Sequence, residues 1–227
     1  MKKKNNKDIR LYDYTKLRFA VEIEVEFPNS KDSTKLIDRH KLLTGWEIDY
    51  DGSLDNGAEY RPKNNNHLHY NEESLTQLKE ILALIRVHRG RVSKNCGLHV
   101  HINCKKFTDK QIATIIHEFV HKQRFFIKKF NVHRDRVDSM CKLLPKENLQ
   151  KVTQKIIHKF RNDDKGWGFS DYSYFDEKYY SLNASHLKKG EYGTLEFRLY
   201  NATLNYKKLK EQILFTLQFV RDCLERE

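Results

Sequence analysis

The chain has 227 residues, 38% of them hydrophobic and 33% charged, with a formal net charge of +12. This length allows one sizeable domain or two small ones, and no run of about 18 apolar residues occurs, so we expect no membrane-spanning segment and no membrane partner. The charge favours anionic partners such as nucleotides, but Lys and Arg are spread along the chain, which disfavours a nucleic-acid footprint.

Residues 1–16 are polar and basic, and we expect this terminus to be frayed or disordered. Because no apolar segment of the secretory type follows it, the sequence predicts a cytoplasmic protein. We find no internal repeat and no linker, so residues 17–227 are expected to form a single catalytic domain. Four cysteines without CxxC spacing are expected to be free thiols, and they are Cys96, Cys104, Cys141 and Cys223.

The first predicted strand, RFAVEIEVEF at residues 18–27, alternates strictly between apolar and other residues. Its apolar side chains face one way, while Glu22, Glu24 and Glu26 face the other. A row of like charges is unfavourable unless water or a cation offsets it. The strand is therefore either a solvated edge strand or one wall of a cation site.

A helix is predicted over about 32–43, followed by a hairpin whose second strand carries Glu59 and whose turn is Asp51-Gly52. A polar loop over 63–73 leads to a helix over 74–89. The remaining predicted elements are helices over 108–130, 131–145, 146–160 and 206–226, and a short strand over 179–184. An aromatic loop over 162–178 is interpreted either as a lid or as a loop packed on the core.

Two later strands follow the same rule as the first. In GLHVHINC (97–104), His99 and His101 share the polar face, and in TLEFRLY (194–200) the polar face carries Thr194, Glu196, Arg198 and Tyr200. The apolar faces predict an α+β fold in which helices cover one side of a sheet. The other side gathers carboxylates and imidazoles, which suit divalent cations, beside an arginine, which suits phosphate.

Other interpretations of the sequence remain open. His117-Glu118-Phe119-Val120-His121 matches the HExxH pattern of zinc hydrolases, although no third ligand of the usual spacing follows. Cys96, His99, His101 and Cys104 do not have the spacing of a zinc finger. A third alternative is a non-catalytic module that binds polyanions through its charge.

The order VEIEVEF, DGSL with AEYRP, GLHVH, YYSLN and TLEFRLYNATLN before a final helix resembles the amidoligase family, from about residue 18 to the end. This resemblance implies a glutamine synthetase-like fold, related to the glutamate–cysteine ligases. In that fold an antiparallel sheet curves into a half-barrel with helices on its outer face. The active site is then expected on the concave polar face.

The resemblance also implies residue roles. Glu22, Glu24, Glu59, His99 and Glu196 are expected to be metal ligands, with Glu22, Glu24 and Arg198 as the catalytic residues. The nucleotide-binding residues are expected to be His101 and Arg198, and the residues on the substrate side Asp51 and Asn183.

The implied activity is that of a carboxylate–amine ligase that uses ATP and Mg²⁺ or Mn²⁺ and proceeds through an acyl phosphate. Its expected partners are an amino-acid or peptide carboxylate and an amine acceptor, and an oligomer is compatible with the sequence.

Overall fold

The computed structural model describes residues 13–28, 45–63, 67–157, 179–187 and 192–226. The helix predicted over 32–43 and the aromatic loop over 162–178 lie outside the described residues, as does most of the terminus over 1–16. The strands are β1 (Arg18–Glu26), β2 (Trp46–Asp51), β3 (Gly57–Pro62), β4 (Leu68–His69), β5 (Gly97–Asn103), β6 (Leu182–Asn183) and β7 (Thr194–Asn201). The α-helices are α1 (Glu72–Val87), α2 (Asp109–Phe130), α3 (Arg134–Ser139), α4 (Leu149–Ile157) and α5 (Tyr206–Leu224).

All seven strands belong to one antiparallel sheet with the order β2-β3-β1-β5-β7-β6, and β4 pairs with the start of β1. Within the described ranges, β2 and β6 are the two edges, so the sheet is open. The three strands with strict alternation, β1, β5 and β7, lie next to one another at its centre. Their polar faces therefore form one continuous surface.

The apolar face of the sheet is the floor of the main hydrophobic core. The apolar side chains of β1 are almost completely buried, and they are Phe19, Val21, Ile23, Val25 and Phe27, all at most 4% exposed. They share one core cluster with the buried apolar residues of α1, α2 and α5. Helices thus cover one face of the sheet, as the alternation predicts.

The long helix α2 shows how local sequence sets the boundaries of an element. Thr108 accepts a hydrogen bond from the backbone N–H of Gln111, and the Gln111 side chain accepts one from Thr108, which is a capping box. Asn131 ends the helix in the left-handed conformation (φ 48°), which asparagine tolerates better than most residues. Apolar residues at three- and four-residue spacing turn one stripe of the helix toward the sheet.

The prediction that Tyr200 shares the polar face with Thr194, Glu196 and Arg198 is wrong. The pairing of β5 with β7 shifts register between Leu98 and Val100, so two β7 residues lie opposite His99. Beyond this β-bulge, each β7 side chain points to the opposite face from the one that simple alternation predicts. Tyr200 therefore lies among the helices, where its hydroxyl bonds Thr216 at 2.7 Å.

Most of the predicted elements are present within one to three residues at their ends, and the α+β class with an antiparallel sheet is confirmed. Three predictions of element bounds need correction. The helix predicted over 131–145 is limited to α3, Arg134–Ser139. The polar loop over 63–73 contains the short strand β4, and the strand predicted over 179–184 is confined to Leu182–Asn183. None of the described helices combines the length and the apolar character needed to cross a membrane. The half-barrel curvature and the glutamine synthetase-like architecture stay predictions.

Candidate functional site

Strand register places the predicted residues opposite one another on the polar face. Glu22 of β1 pairs with His99 of β5, and Glu24 of β1 pairs with Glu59 of β3. On the other side, His101 of β5 pairs with Glu196 of β7. Directly opposite residues on adjacent strands point to the same face. The antiparallel pairing alone therefore brings carboxylates from three strands around the two histidines.

His99 lies at the centre of this group and is 2% exposed. Its Nδ1 is 2.9 Å from Glu22 Oε2 and 3.2 Å from Glu196 Oε1, and its Nε2 is 3.1 Å from Glu24 Oε1. An imidazole has only two nitrogens, so three carboxylates around it exceed what its own protons can satisfy. A cation would balance the remaining negative charge.

His101 makes a second set of contacts, on the side of the site toward Thr194. Its Nε2 is 3.1 Å from Glu22 Oε1 and 3.9 Å from Glu196 Oε1. Its Nδ1 lies 3.1 Å from the Thr194 hydroxyl, which orients the ring. This arrangement, in which one nitrogen contacts a hydroxyl and the other faces carboxylates, is typical of histidine that ligates metal.

In the part of the chain that the structure describes, two groups of side chains have donor atoms close enough to hold a divalent cation. Glu22, His101 and Glu196 form one group, and Glu22, Glu59 and His99 form the other, with all donor atoms of a group within 4.8 Å of one another. Glu22 belongs to both groups and can bridge two ions. In addition, Nε2 of His99 and Nε2 of His101 are buried and make no hydrogen bond among the described residues. These residues therefore fit a pair of divalent cations, with a carboxylate-rich donor set that suits Mg²⁺ or Mn²⁺.

Glu196 is held by a separate set of partners. It is 1% exposed, accepts a hydrogen bond from Asn183 Nδ2 at 2.8 Å, and forms an ion pair with Arg198. His186, which the sequence did not single out, lies 3.3 Å from Glu196 Oε2. Burial alone would raise the pKa of Glu196, but Arg198, His186 and His101 lower it, so the side chain is a carboxylate.

Two carboxyl groups of the site, those of Glu22 and Glu59, have pKa values that are shifted in opposite directions. Burial acts to raise the pKa of Glu22, but His101 and His99 outweigh it and hold that pKa well below its ordinary value. For Glu59, burial and then the charges of Glu22 and Glu24 raise the pKa to about 9. Without a cation, Glu59 is thus protonated at neutral pH because the surrounding charge is already negative.

Glu24 and Arg198 are linked by a residue that the sequence analysis missed. Arg136 of α3 is 2% exposed, and its guanidinium donates to the carbonyl of Asn95 at 2.8 Å and to that of Arg198 at 3.3 Å. It also lies 3.9 Å from Glu24. A buried arginine needs such partners. The sequence signal was weak, because Arg136 is one of many basic residues in a segment without clear periodicity.

Gly97 makes room for this arginine. A Cβ at Gly97 would lie 2.3 Å from Arg136 Nη2 and 2.9 Å from His99 Nε2, so no larger residue fits without displacing one of them. The backbone N–H of Gly97 also donates to Glu24. The start of β5 therefore positions Glu24, His99 and Arg136 together.

The two residues expected on the substrate side differ in their surroundings. Asn183 contacts Glu196 and accepts a hydrogen bond from the backbone of Ser185 at 2.9 Å, so it lies at the site. Asp51 accepts hydrogen bonds from the backbone and hydroxyl of Ser53 at 2.8 and 2.6 Å. These bonds stabilise the β2–β3 turn, and Asp51 belongs to neither of the two donor groups.

The HExxH motif on α2 does not form a comparable site. Glu118 forms ion pairs with Lys122 at 3.1 Å and Arg226 at 2.8 Å, which occupy the carboxylate that would have to act as a base. His121 is exposed, and no third donor joins His117 and His121 within the described part of the chain. The four cysteines are buried and free, and none of them belongs to a donor group.

Comparison with known proteins gives an independent finding. A family model described as "Putative amidoligase enzyme" matches residues 15–220. That range includes every residue of the site on the polar face. No curated protein matches the chain.

Proposed function

Because this chain belongs to the amidoligase family of ligases, we propose that it joins a carboxylate to an amine with the consumption of ATP, on a glutamine synthetase-like fold. The observation that carries the proposal is the convergence of two Glu–His donor groups and Arg198 on one face of the sheet. The substrates are an amino-acid or peptide carboxylate, an amine acceptor and ATP.

The proposed reaction has two steps. An oxygen of the substrate carboxylate bonds to the γ-phosphorus of ATP, the bond to the bridging oxygen breaks, and ADP leaves. The amine then attacks the carbonyl carbon of the acyl phosphate, inorganic phosphate leaves, and the amine nitrogen loses a proton to give the amide. Both steps transfer negative charge, so the protein must stabilise charge at fixed positions.

The residues of the polar face suit this task. Glu22, Glu59, His99, His101 and Glu196 would hold Mg²⁺ or Mn²⁺, which neutralises charge on the phosphoryl group during transfer. Arg198 lies 3.5 Å from His99 and pairs with Glu196, so its guanidinium is beside the donor groups, where it would bind phosphate oxygens.

Burial of the site supports the same chemistry. His99, His101 and Glu196 are each at most 3% exposed. An acyl phosphate hydrolyses in water, and a ligase must therefore exclude water from it. A site on the surface would lose the intermediate before the amine could react.

Calorimetry with ATP, in the presence and absence of Mg²⁺, tests the proposal. We expect wild-type protein to bind ATP only with Mg²⁺, and the double variant Glu22→Ala/Glu24→Ala to lose that binding. Glu80→Ala is the matched control, because it removes an exposed carboxylate from α1, a helix on the apolar side of the sheet, and should leave binding unchanged. Folded wild-type protein that binds no ATP would refute the proposal.

A second measurement follows the reaction. ADP release is assayed with a panel of acids and amines, first on wild-type protein and then on Glu196→Ala. We expect the variant to lose activity, because Glu196 contributes to one donor group and pairs with Arg198. Full activity of Glu196→Ala would contradict the proposed mechanism.

A further inference from the structure

We propose that the cavity beside Glu22 and His101 is an oxyanion subsite, where His67, Thr194 and Tyr192 donate hydrogen bonds to a carboxylate or phosphate oxygen. This inference rests on the proposed function and specifies where one substrate group lies. The cavity is open on one side, and its interior has a volume of about 10 Å³. That is room for about one water-sized atom, so the cavity suits a single oxygen of an anionic group rather than a whole nucleotide.

The His67 ring presents an N–H to this cavity. The backbone N–H of Lys105 donates to Asn103 Oδ1 at 3.1 Å, which fixes the orientation of the Asn103 amide. Asn103 Nδ2 then lies 3.2 Å from His67 Nδ1 and donates to it. A neutral imidazole whose Nδ1 accepts a hydrogen bond carries its proton on Nε2. His67 is thereby set as a donor, and a carboxylate or phosphate oxygen is its natural partner.

Thr194 supplies a second donor at the floor of the cavity. Its hydroxyl is 3.1 Å from His101 Nδ1. At this distance the hydroxyl oxygen can accept a hydrogen bond from His101 Nδ1–H. The Thr194 hydrogen is then free to point into the cavity.

Tyr192 forms the wall opposite His67. Its hydroxyl accepts from Arg61 Nη1 at 3.5 Å, which leaves the hydroxyl hydrogen available. Its ring stacks on His186, with centroids 5.3 Å apart and planes 22° apart. Arg61 also pairs with Glu47 at 2.9 Å and with Asp49, so it acts here as a fixed support for Tyr192 and not as a free cation.

The charge around the cavity favours an anion. Among the described residues, Glu22 is the one carboxylate in the lining of this cavity, and its oxygens face the two histidines. Arg18 and Lys105 are cationic neighbours of His67. Three donors, two cationic neighbours of His67 and an adjoining cation site make the cavity complementary to an oxyanion next to the metal.

The two sources of such an oxyanion are the acid substrate and the nucleotide. Thr194→Val and Tyr192→Phe each remove a single hydroxyl and keep the shape of the side chain. Thr153→Val is the matched control, since Thr153 is a buried threonine of α4 outside the cavity. Calorimetry with Mg²⁺ present measures the affinity of each protein for inorganic phosphate, acetate and the nonhydrolysable ATP analogue with a β–γ imido link.

We expect each hydroxyl variant to weaken binding of the oxyanion by roughly 10-fold or more, because a hydrogen bond to a charged group is lost. Weaker binding of acetate alone identifies the substrate carboxylate, and weaker binding of the ATP analogue identifies a nucleotide phosphate. Unchanged affinities for all three probes in folded variants would overturn the inference.

The same experiment separates this inference from the proposed function. If wild-type protein binds phosphate through Thr194 and Tyr192 but never releases ADP with any acid and amine, the ligase proposal fails and the subsite stands. If ADP is released and both variants keep wild-type affinities and KM values, the ligase stands and the subsite is refuted.

Discussion

Replacing Glu59 with glutamine should stabilise the metal-free protein while it weakens metal binding. Burial and the neighbouring carboxylates raise the pKa of Glu59 to about 9 from an ordinary 4.5. In the unfolded chain the group ionises above about 4.5, whereas in the folded protein it keeps its proton. The folded state therefore loses stability as the pH rises from about 4.5 toward 9. Glutamine has the same shape and does not ionise, so it escapes this penalty.

The size of the effect follows from the pKa shift. One pKa unit corresponds to about 1.4 kcal/mol, and the shift of Glu59 exceeds one unit. We therefore expect the free energy of unfolding of Glu59→Gln to exceed that of wild type by at least about 1.4 kcal/mol at pH 8 in EDTA. In a domain of this size that difference raises Tm by about 3–6 °C. At pH 5 the difference should shrink, because the unfolded chain is then partly protonated as well.

Thermal unfolding followed by circular dichroism, at pH 5 and pH 8 with EDTA or Mg²⁺, measures the difference in Tm between Glu59→Gln and wild type. Mg²⁺ should raise the Tm of wild type by more than that of Glu59→Gln, because one of the two donor groups loses a ligand in the variant. Asp49→Asn is the control, since Asp49 lies opposite Glu59 on β2 but is half-exposed and paired with Arg61. If Glu59→Gln is no more stable than wild type at pH 8 in EDTA, Glu59 is not held protonated and the reasoning is wrong.

Three further predictions concern other parts of the structure. Gly97→Ala should displace Arg136, which lowers stability by about 1–3 kcal/mol and weakens Mg²⁺ binding at least tenfold. An unchanged Mg²⁺ affinity in calorimetry would contradict this prediction. Glu118→Gln should change stability by no more than about 0.5 kcal/mol and leave ADP release intact, because the ion pairs of Glu118 lie at the surface. Loss of activity in this variant would revive the zinc-hydrolase alternative. Tyr200→Phe should have a free energy of unfolding in urea that is about 1 kcal/mol lower, because the hydrogen bond to Thr216 is lost, and its KM should be unchanged. An altered KM would place Tyr200 in the site.

The sequence predicted well which residues share the polar face of the sheet, because the determinants of facing are local. Period-two alternation sets which side of a strand each residue faces, and it placed Glu22, His99 and Glu196 on the polar face. Antiparallel pairing then brings those faces together, which agrees with the observed register. The same argument predicted the helices that cover the apolar face, whose three- and four-residue spacing is equally local.

Other features depend on contacts between distant residues, and only the tertiary structure decided them. The bulge in β7 arises from its pairing with β5, so alternation alone put Tyr200 on the wrong face. Arg136 comes from a helix whose position relative to the sheet the sequence does not specify.

Protonation states and hydrogen-bond donors also depend on contacts between distant residues. The resemblance to the amidoligase family placed Glu59 among the expected metal ligands, but its protonation depends on burial and on distances between strands. His67 becomes a fixed donor through Asn103, which is 36 residues away in the chain. The sequence by itself determined which groups face the site, because the direction of a side chain is a local property. Their partners and proton states were decided by the tertiary structure, because both depend on distances and desolvation that only the packed chain creates.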